Sequence, residues 1–354
     1  MSCGKTVCCL IYKIRSYGEF MPVNYVQILS RSCVGLRWSF ISLFLICGVA
    51  VSFAQTPTPT PLQQAVEDKD DGPVKVPTDL VTLTLTVTDI YGRYVSGLTK
   101  NAFTVIDNGT EQEITFFSDT DAPVSLGILF DVSDSMSGTK IGKARKALEK
   151  FINTSHPNDE YFLIAFNNRA QLLLDRTRDG EAVLQKLTLV SPKNNTALYD
   201  ACYLGIEKVT RGSHQKKALL IISDGQDNAS RYNFSEVRRL MKESDVVVYA
   251  VGIMDGRDAG STDGMQGQAF LDELTSVTGG KAFYPSTDVE MDEIFERIAL
   301  ELRHQYSIGY TPQNFQPDGK YHKVKVKVKP PRGLPRLTVR NREGYYATPN
   351  TNYK

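Results

Sequence analysis

The spacing of apolar residues divides the chain into an early β segment, a long α/β segment and a late β segment. In the early segment, apolar residues alternate with threonine or charged residues, which is the period of half-buried strands. The alternation covers VTLTLTVTD (81–89), FTVIDNG (103–109) and EQEITFFSD (111–119). The Asp-Asn-Gly sequence between the last two is a hairpin signal. The pattern predicts a small antiparallel β unit over residues 78–123.

Strand and helix patterns alternate between residues 124 and 304. Four runs, VSLGILF, YFLIAF, KALLIIS and VVVYAVGI, are almost continuously apolar, which is typical of parallel strands covered on both faces. Amphipathic segments of helical period separate them, and the short run KAFYP adds a further strand. The polar residues 167–169 join YFLIAF to AQLLL and predict a hairpin with one antiparallel edge strand. We therefore predict a doubly wound α/β domain over 124–304 with a mostly parallel six-stranded sheet.

Residues 305–354 return to a β pattern, with YSIGYTP, HKVKVKVK and LTVRNREGYY as strand segments. We predict that this C-terminal segment packs with the N-terminal one. The alternation of lysine and valine has two interpretations. It is either a patch for nucleic acid or an anionic surface, or the solvent-exposed face of an edge strand. We favour the second, because lysines on edge strands protect proteins against unwanted strand pairing.

Residues 1–54 have the features of an export leader. Residues 38–54, WSFISLFLICGVAVSFA, are uncharged and apolar, follow basic residues, and end in small residues typical of a cleavage site. Met21 is an alternative start that would give a leader of more ordinary length. Because the apolar run is slightly shorter than the roughly 20 residues that span a bilayer, we favour a cleaved signal over an anchor formed by 38–54. The proline- and threonine-rich, then charged, residues 55–77 are predicted to be a linker.

Charge and cysteine content narrow the setting in which the protein acts. The chain has 41 basic and 40 acidic residues, and this balance gives no reason to expect a nucleic-acid partner. Cys202 is the only cysteine after the leader, so no disulfide can form within the remainder of the chain. We expect an exported bacterial protein that is secreted, periplasmic or on the cell surface, with membrane contact only through an uncleaved leader.

Oxygen-bearing side chains collect where the strands of the α/β segment end. The first strand runs into DVSDS (131–135), the fourth into SDG (223–225), and NNT (194–196) precedes a helix. In a doubly wound sheet the ligand crevice lies at the carboxyl ends of the strands, where the strand order reverses. If the order is 3-2-1-4-5-6, the first and fourth strands are neighbours, and Asp131 and Asp224 converge.

The candidate site contains only hydroxyl and carboxylate oxygens. Its five residues are Asp131, Ser133, Ser135, Thr196 and Asp224. A set without histidine or cysteine favours a hard cation, Mg²⁺ or Mn²⁺, over Zn²⁺. Because three of these ligands are neutral hydroxyls, the cation would keep much of its charge and one position open to an incoming carboxylate. The expected partner is therefore a protein that presents an acidic side chain.

These motifs resemble a known family. The D-x-S-x-S sequence, the later threonine and the Asp-Gly pair are similar to the metal-ion-dependent adhesion site of von Willebrand factor type A domains. The resemblance implies that Ser133, Ser135 and Thr196 ligate the cation directly or by switching. It also implies that Asp131 and Asp224 hold the waters of the cation and orient the serines. The flanking β segments are similar to those of exported bacterial proteins that carry this domain.

Further aspartates lie in loops that are expected to face the same crevice. The loop DGRDAGSTDGMQGQ (255–268) follows the fifth strand and is rich in glycine and aspartate. It is either a mobile rim that contacts the partner or an ordinary flexible insertion, and the sequence does not distinguish the two. The candidate rim residues are Asp227, Asp255, Asp258 and Asp263.

The site and the resemblance together predict an exported, divalent-cation-dependent protein-binding or adhesion module that engages an acidic residue of its partner through Mg²⁺. Two alternatives remain. One is a non-catalytic accessory subunit of an enzyme or surface assembly complex, and the other is a degenerate type A domain that binds without metal. A hydrolase is not expected, because no histidine is placed to activate either serine. We therefore predict no enzymatic activity.

Overall fold

The computed structural model describes residues 80–254, 260–313 and 315–348, which belong to the unit Gly72–Lys354. The predicted leader and linker lie outside these described residues. The strands in the described part are β1 Val81–Thr88, β2 Phe103–Asp107, β3 Thr110–Gln112, β4 Ile114–Ser118, β5 Val124–Asp131, β6 Glu160–Phe166, β7 Ala170–Thr177, β8 Lys216–Ser223, β9 Val247–Gly252, β10 Lys281–Phe283, β11 Tyr306–Tyr310, β12 Tyr321–Val328, β13 Thr338–Arg340 and β14 Gly344–Tyr346. The α-helices are α1 Thr139–Thr154, α2 Gly180–Thr188, α3 Leu198–Thr210, α4 Phe234–Glu243, α5 Thr262–Thr278 and α6 Asp288–Arg303.

A six-stranded sheet forms the centre of the α/β segment. Its order is β10-β9-β8-β5-β6-β7, and all neighbours are parallel except β6 and β7, which form the predicted hairpin. Every residue of β5 is buried, because β6 and β8 flank this strand and helices cover both of its faces. The sheet confirms the predicted fold class, and its order brings the first and fourth strands of the segment side by side.

Three helices cover each face of this sheet. Side chains that alternate along β5 separate into two cores: Ile128 and Phe130 pack with α1, α2 and α6, whereas Leu129 packs with α3, α4 and α5. The two-residue period of the strand places neighbouring side chains on opposite faces, so a continuous apolar run can serve both layers. Cys202 on α3 is fully buried within the second core.

Helix α5 begins earlier than the sequence predicts. The predicted loop extends to residue 268, whereas the helix starts at Thr262 and places Asp263 in its first turn. The Ser261 hydroxyl accepts a hydrogen bond from the Gly264 backbone amide at 3.0 Å, and an acidic residue in the first turn favours a helix start. The prediction of a loop was therefore wrong for 262–268, because glycines that usually mark loops lie inside a capped helix.

The two flanking β segments interleave in a pair of antiparallel sheets. One sheet has the order β13-β1-β11-β4 and the other has the order β14-β12-β2-β3. Each sheet combines strands from before and after the α/β segment, as in the pairing of Val81 with Tyr310. Between the sheets lies a third apolar core, whose most buried members include Leu85, Val105 and Ile308.

The lysine- and valine-rich strand β12 lies inside its sheet. It pairs with β14 over 321–323 and with β2 over 324–328, so the expectation of an edge strand was wrong. Val324 and Val326 are buried, whereas the intervening lysines are exposed. The alternation correctly indicates which side of the strand faces solvent, but it carries no information about the strand's neighbours.

A buried carboxylate connects the last helix of the α/β segment to the antiparallel sheets. Glu301 on α6 is 1% exposed. It accepts hydrogen bonds from the hydroxyls of Thr86 on β1 at 2.9 Å and Tyr249 on β9 at 2.8 Å. The Tyr94 hydroxyl donates to its other oxygen at 2.9 Å, and the Arg340 guanidinium forms an ion pair with it. Four separate parts of the chain therefore meet at one side chain.

Candidate functional site

The carboxyl ends of β5 and β8 bring two aspartates to one edge of the parallel sheet. These strands run side by side, with Phe130 opposite Ile222. Asp131 ends β5 and Asp224 follows β8 directly, and their exposed fractions are 0% and 1%. Two acidic side chains are thus withdrawn from water at the edge where doubly wound sheets bind ligands.

Asp131 lies at the centre of a hydrogen-bonded group. One of its oxygens accepts from the Ser133 backbone amide at 2.9 Å and the other accepts from the Ser223 hydroxyl at 2.6 Å. Burial raises the pKa of Asp131 to about 7, and the nearby Asp224 carboxylate adds to the increase, whereas the hydrogen bonds from Ser133 and Ser223 oppose it. A positive charge at this position would therefore stabilise the ionised carboxylate.

Asp224 has one oxygen without a protein partner. Its Oδ1 accepts from the Gln226 backbone amide at 3.1 Å, whereas Oδ2 is buried and has no hydrogen-bond donor among the described residues. A buried carboxylate oxygen without a partner is costly, because the folded protein does not replace the hydrogen bonds that water gave it. This unpartnered oxygen fits a cation or the water shell of a cation.

The two motif serines lie in contact beside Asp131. The Ser133 and Ser135 hydroxyl oxygens are 2.9 Å apart, and Ser133 is almost fully buried. The Asp134 backbone amide donates to the Asn194 carbonyl at 3.0 Å, which ties this loop to the segment that carries Thr196. Asn194 adopts the left-handed backbone conformation, with φ at +68°, in the turn before the threonine.

Thr196 is held by the segment that follows Asp224. Its backbone amide donates to Asn228 Oδ1 at 2.8 Å, and its carbonyl accepts from the backbone amides of Asn228 and Ala229 at 3.0 Å. The structure thus links the loops of Asp131, Thr196 and Asp224 through hydrogen bonds. Ser223 and Asn228 were not predicted as site residues, although both are polar and lie within four positions of Asp224.

The candidate rim residues have different positions. Asp227 is half-buried, and its carboxylate accepts from the Tyr199 backbone amide at 3.0 Å and from the Ser230 hydroxyl at 2.5 Å. Asp263 is exposed in the first turn of α5. Asp255 and Asp258 lie outside the described residues. Asp227 therefore stabilises the start of α3, and Asp263 is the exposed rim candidate in the described part.

The described residues around the site form no conventional metal-binding cluster. Within the described ranges, no group of three or more His, Cys, Asp and Glu side chains is arranged to hold a metal. A cation at this edge would depend on serine and threonine hydroxyls together with the two carboxylates. Among the residues that the structure describes, no helix combines the length and apolar character needed to cross a membrane.

Comparison with known proteins gives weak overall similarity to individual relatives. An uncharacterized protein of Synechocystis sp., sll0103, is 24% identical over 108 residues, which is 30% of this chain and 26% of that protein. The inter-alpha-trypsin inhibitor heavy chain H4 of Bos taurus is 20% identical over 211 residues, which is 54% of this chain and 22% of that protein. The chain thus spans about a quarter of the length of these curated relatives.

Similarity to individual solved structures is also weak. A von Willebrand factor type A protein from Catenulispora acidiphila is 13% identical, covers 75% of this chain and 73% of its own, and has a TM-score of 0.43. BatB from Bacteroides thetaiotaomicron is 18% identical, covers 50% of this chain and 98% of its own, and has a TM-score of 0.41.

The family comparison covers the α/β segment. The sequence profile of the von Willebrand factor type A domain matches residues 126–297, which hold most of β5, all of β6 to β10 and most of α6. The matched range begins within the strand that ends at Asp131 and includes Asp131, Thr196 and Asp224. Together with the six-stranded, mostly parallel sheet, this match shows that the chain contains a von Willebrand factor type A domain.

Proposed function

We propose that this chain is an exported, non-enzymatic binding module that holds Mg²⁺ or Mn²⁺ and engages an acidic side chain of a partner protein. The observation that carries the proposal is the unpartnered, buried Oδ2 of Asp224 beside the buried carboxylate of Asp131. Two buried carboxylates that are close together repel each other unless a positive charge lies between or beside them. Hydroxyl oxygens lie at the same edge and supply further ligands.

The residues have distinct roles in this proposal. The hydroxyls of Ser133, Ser135 and Thr196 would ligate the cation, and the carboxylates of Asp131 and Asp224 would balance its charge and orient its waters. When bound, the cation would supply a positive charge with a coordination position open to the partner's carboxylate. Neutral hydroxyl ligands suit this function because they leave the charge of the cation largely available.

The position of the histidines supports a non-enzymatic function. All four histidines of the sequence lie in the described ranges. His156 and His214 lie near the amino ends of β6 and β8, at the opposite edge of the sheet, His304 caps α6, and His322 lies in β12. Activation of a serine hydroxyl normally requires a base with a pKa near the working pH within hydrogen-bond reach. None of the four histidines is therefore placed to act as the base for a serine at the candidate site.

Export is the second part of the proposal and has its own test. Residues 21–54, fused to a reporter that is active only outside the cytoplasm, should carry the reporter across the inner membrane of a bacterial host. The reason is the uncharged apolar run at 38–54. A fusion in which Leu43 and Leu45 are changed to aspartate is the control and should leave the reporter inside. Retention of the unaltered fusion would contradict export.

Partner binding should depend on the cation. In the test, the full chain is immobilised and incubated with proteins from periplasm and culture medium. We expect it to retain a partner in Mg²⁺ and to release that partner in EDTA. The partner's binding should also fall when its own acidic residues in the contact are changed to the corresponding amides. Equal retention in Mg²⁺ and EDTA would contradict the proposal and favour a type A domain that binds without metal.

A further inference from the structure

Helix α5 approaches the turn after Asp224 closely, backbone against backbone, at Gly267. Gly225 has a φ of +84°, a conformation that favours glycine, and a Cβ added there would lie 2.5 Å from the Gly267 carbonyl oxygen. A Cβ added to Gly267 would lie 2.7 Å from the Asp224 carbonyl oxygen. Side-chain carbons do not approach backbone atoms this closely in folded proteins. The contact therefore requires glycine on both sides.

This contact lies directly beside the candidate site. Asp224 connects the end of β8 to Gly225, and its carboxylate is positioned by the same short stretch of backbone that α5 contacts. The other side of that stretch is fixed, because the Ser223 hydroxyl donates to Asp131 and also accepts from the Gly225 backbone amide at 3.1 Å. A methyl group added to Gly267 would press on the Asp224 carbonyl oxygen from the α5 side of this stretch and would displace Asp224.

The position of α5 is itself well defined near Gly267. The Tyr284 hydroxyl lies 3.0 Å from the Gln268 carbonyl oxygen and 3.0 Å from an Asp272 carboxylate oxygen, so it can donate to either one. The Phe270 ring packs on Tyr199 with centroids 4.6 Å apart. These contacts hold the middle of the helix against α3 and against the residue that follows β10, and they give α5 a defined position beside the Asp224 turn.

We propose that α5 sets the position of the Asp224 carboxylate, so that Gly267 is a positioning residue of the cation site. The inference rests on the proposed function and goes beyond the five residues that would bind the cation. Cation ligands must lie within a few tenths of an ångström of their preferred distances, so a small shift of the turn weakens binding.

The test compares Gly267→Ala with Gly142→Ala in the full chain. Both glycines lie in helices, and a Cβ at Gly142 on α1 meets no atom within 4 Å. Isothermal titration with Mg²⁺ and Mn²⁺ should show at least about tenfold weaker binding for Gly267→Ala, as for other residues that support metal ligands. Gly142→Ala should match the unaltered protein. The backbone amide signals of 224–226 should also shift in Gly267→Ala and not in Gly142→Ala.

The possible results separate this inference from the proposed function. If the unaltered protein binds neither cation, the proposed function fails and the inference fails with it. If Gly267→Ala lowers the unfolding midpoint but keeps the same Kd, Gly267 serves packing alone and only the inference is overturned. If Gly267→Ala does not fold, Tyr284→Phe replaces it, because loss of this hydroxyl loosens α5 without adding atoms. A several-fold weaker Kd in Tyr284→Phe supports the inference, and an unchanged Kd overturns it.

Discussion

Replacing Asp131 by asparagine should abolish the gain in unfolding free energy that Mg²⁺ or Mn²⁺ gives to this protein. A ligand that binds only the native state adds about 2.7 kcal/mol to the unfolding free energy when its free concentration is a hundred times its Kd. Asparagine keeps the shape of the side chain and an acceptor for the Ser133 amide, but it removes the buried negative charge. The measurement is urea unfolding of both proteins in cation and in EDTA.

Asp134→Ala is the matched control for this experiment. Asp134 lies between the two motif serines, but its side chain is exposed. It should therefore keep the cation-dependent gain. An equal gain in Asp131→Asn and in the unaltered protein would show that the cation binds elsewhere, and the assignment of the site would be wrong.

Glu301→Ala should lower the unfolding free energy by about 3–5 kcal/mol, the usual cost of removing one partner of a buried ion pair. The change leaves the Arg340 guanidinium, whose side chain is 24% exposed, without its carboxylate. It also leaves the hydroxyls of Thr86 and Tyr249 without their acceptor. Burial raises the pKa of Tyr249 well above its usual value, so its hydroxyl stays protonated and needs an acceptor. Urea unfolding without added cation measures the loss.

Two further variants define the cause of this effect. Glu301→Gln keeps one oxygen acceptor at the same place and should lose less stability than Glu301→Ala. Glu293→Ala, on the exposed side of the same helix, should change stability by less than about 0.5 kcal/mol. If Glu293→Ala and Glu301→Ala had the same effect, the buried network would not contribute to stability.

The parallel sheet could be predicted from the sequence because its signal is local. Each strand of the α/β segment is a continuous apolar run, and the burial of all eight residues of β5 is the direct result of that composition. The sequence signal for the hairpin between β2 and β3 was equally local. Asn108 and Gly109 both have positive φ, as a tight hairpin turn requires.

Strand neighbours and backbone contacts were not predictable in this way. The pairing of β1 with β11 joins residues from either side of the α/β segment, and no periodicity within either strand specifies its partner. The early start of α5 was missed because Gly264 and Gly267 usually indicate a loop. Gly267 is present in the helix because the turn after Asp224 passes too close for any side chain.

The candidate site was also only partly predictable from the sequence. Asp131 and Asp224 could be placed together in advance, because the ends of neighbouring parallel strands meet at one edge. The support from Ser223 and Asn228 could not, since it depends on side-chain directions and on the packing of two loops.

The residues of the candidate site come from three loops that long stretches of chain separate. A calcium loop of the EF-hand type draws its ligands from about 12 consecutive residues, so part of the site can form before the rest of the protein folds. Here the ligands meet only after β5 and β8 have paired and the entropy of closing the intervening loops has been lost. A cation at this edge would bind the completed fold and slow its unfolding, and it would not act as a folding nucleus.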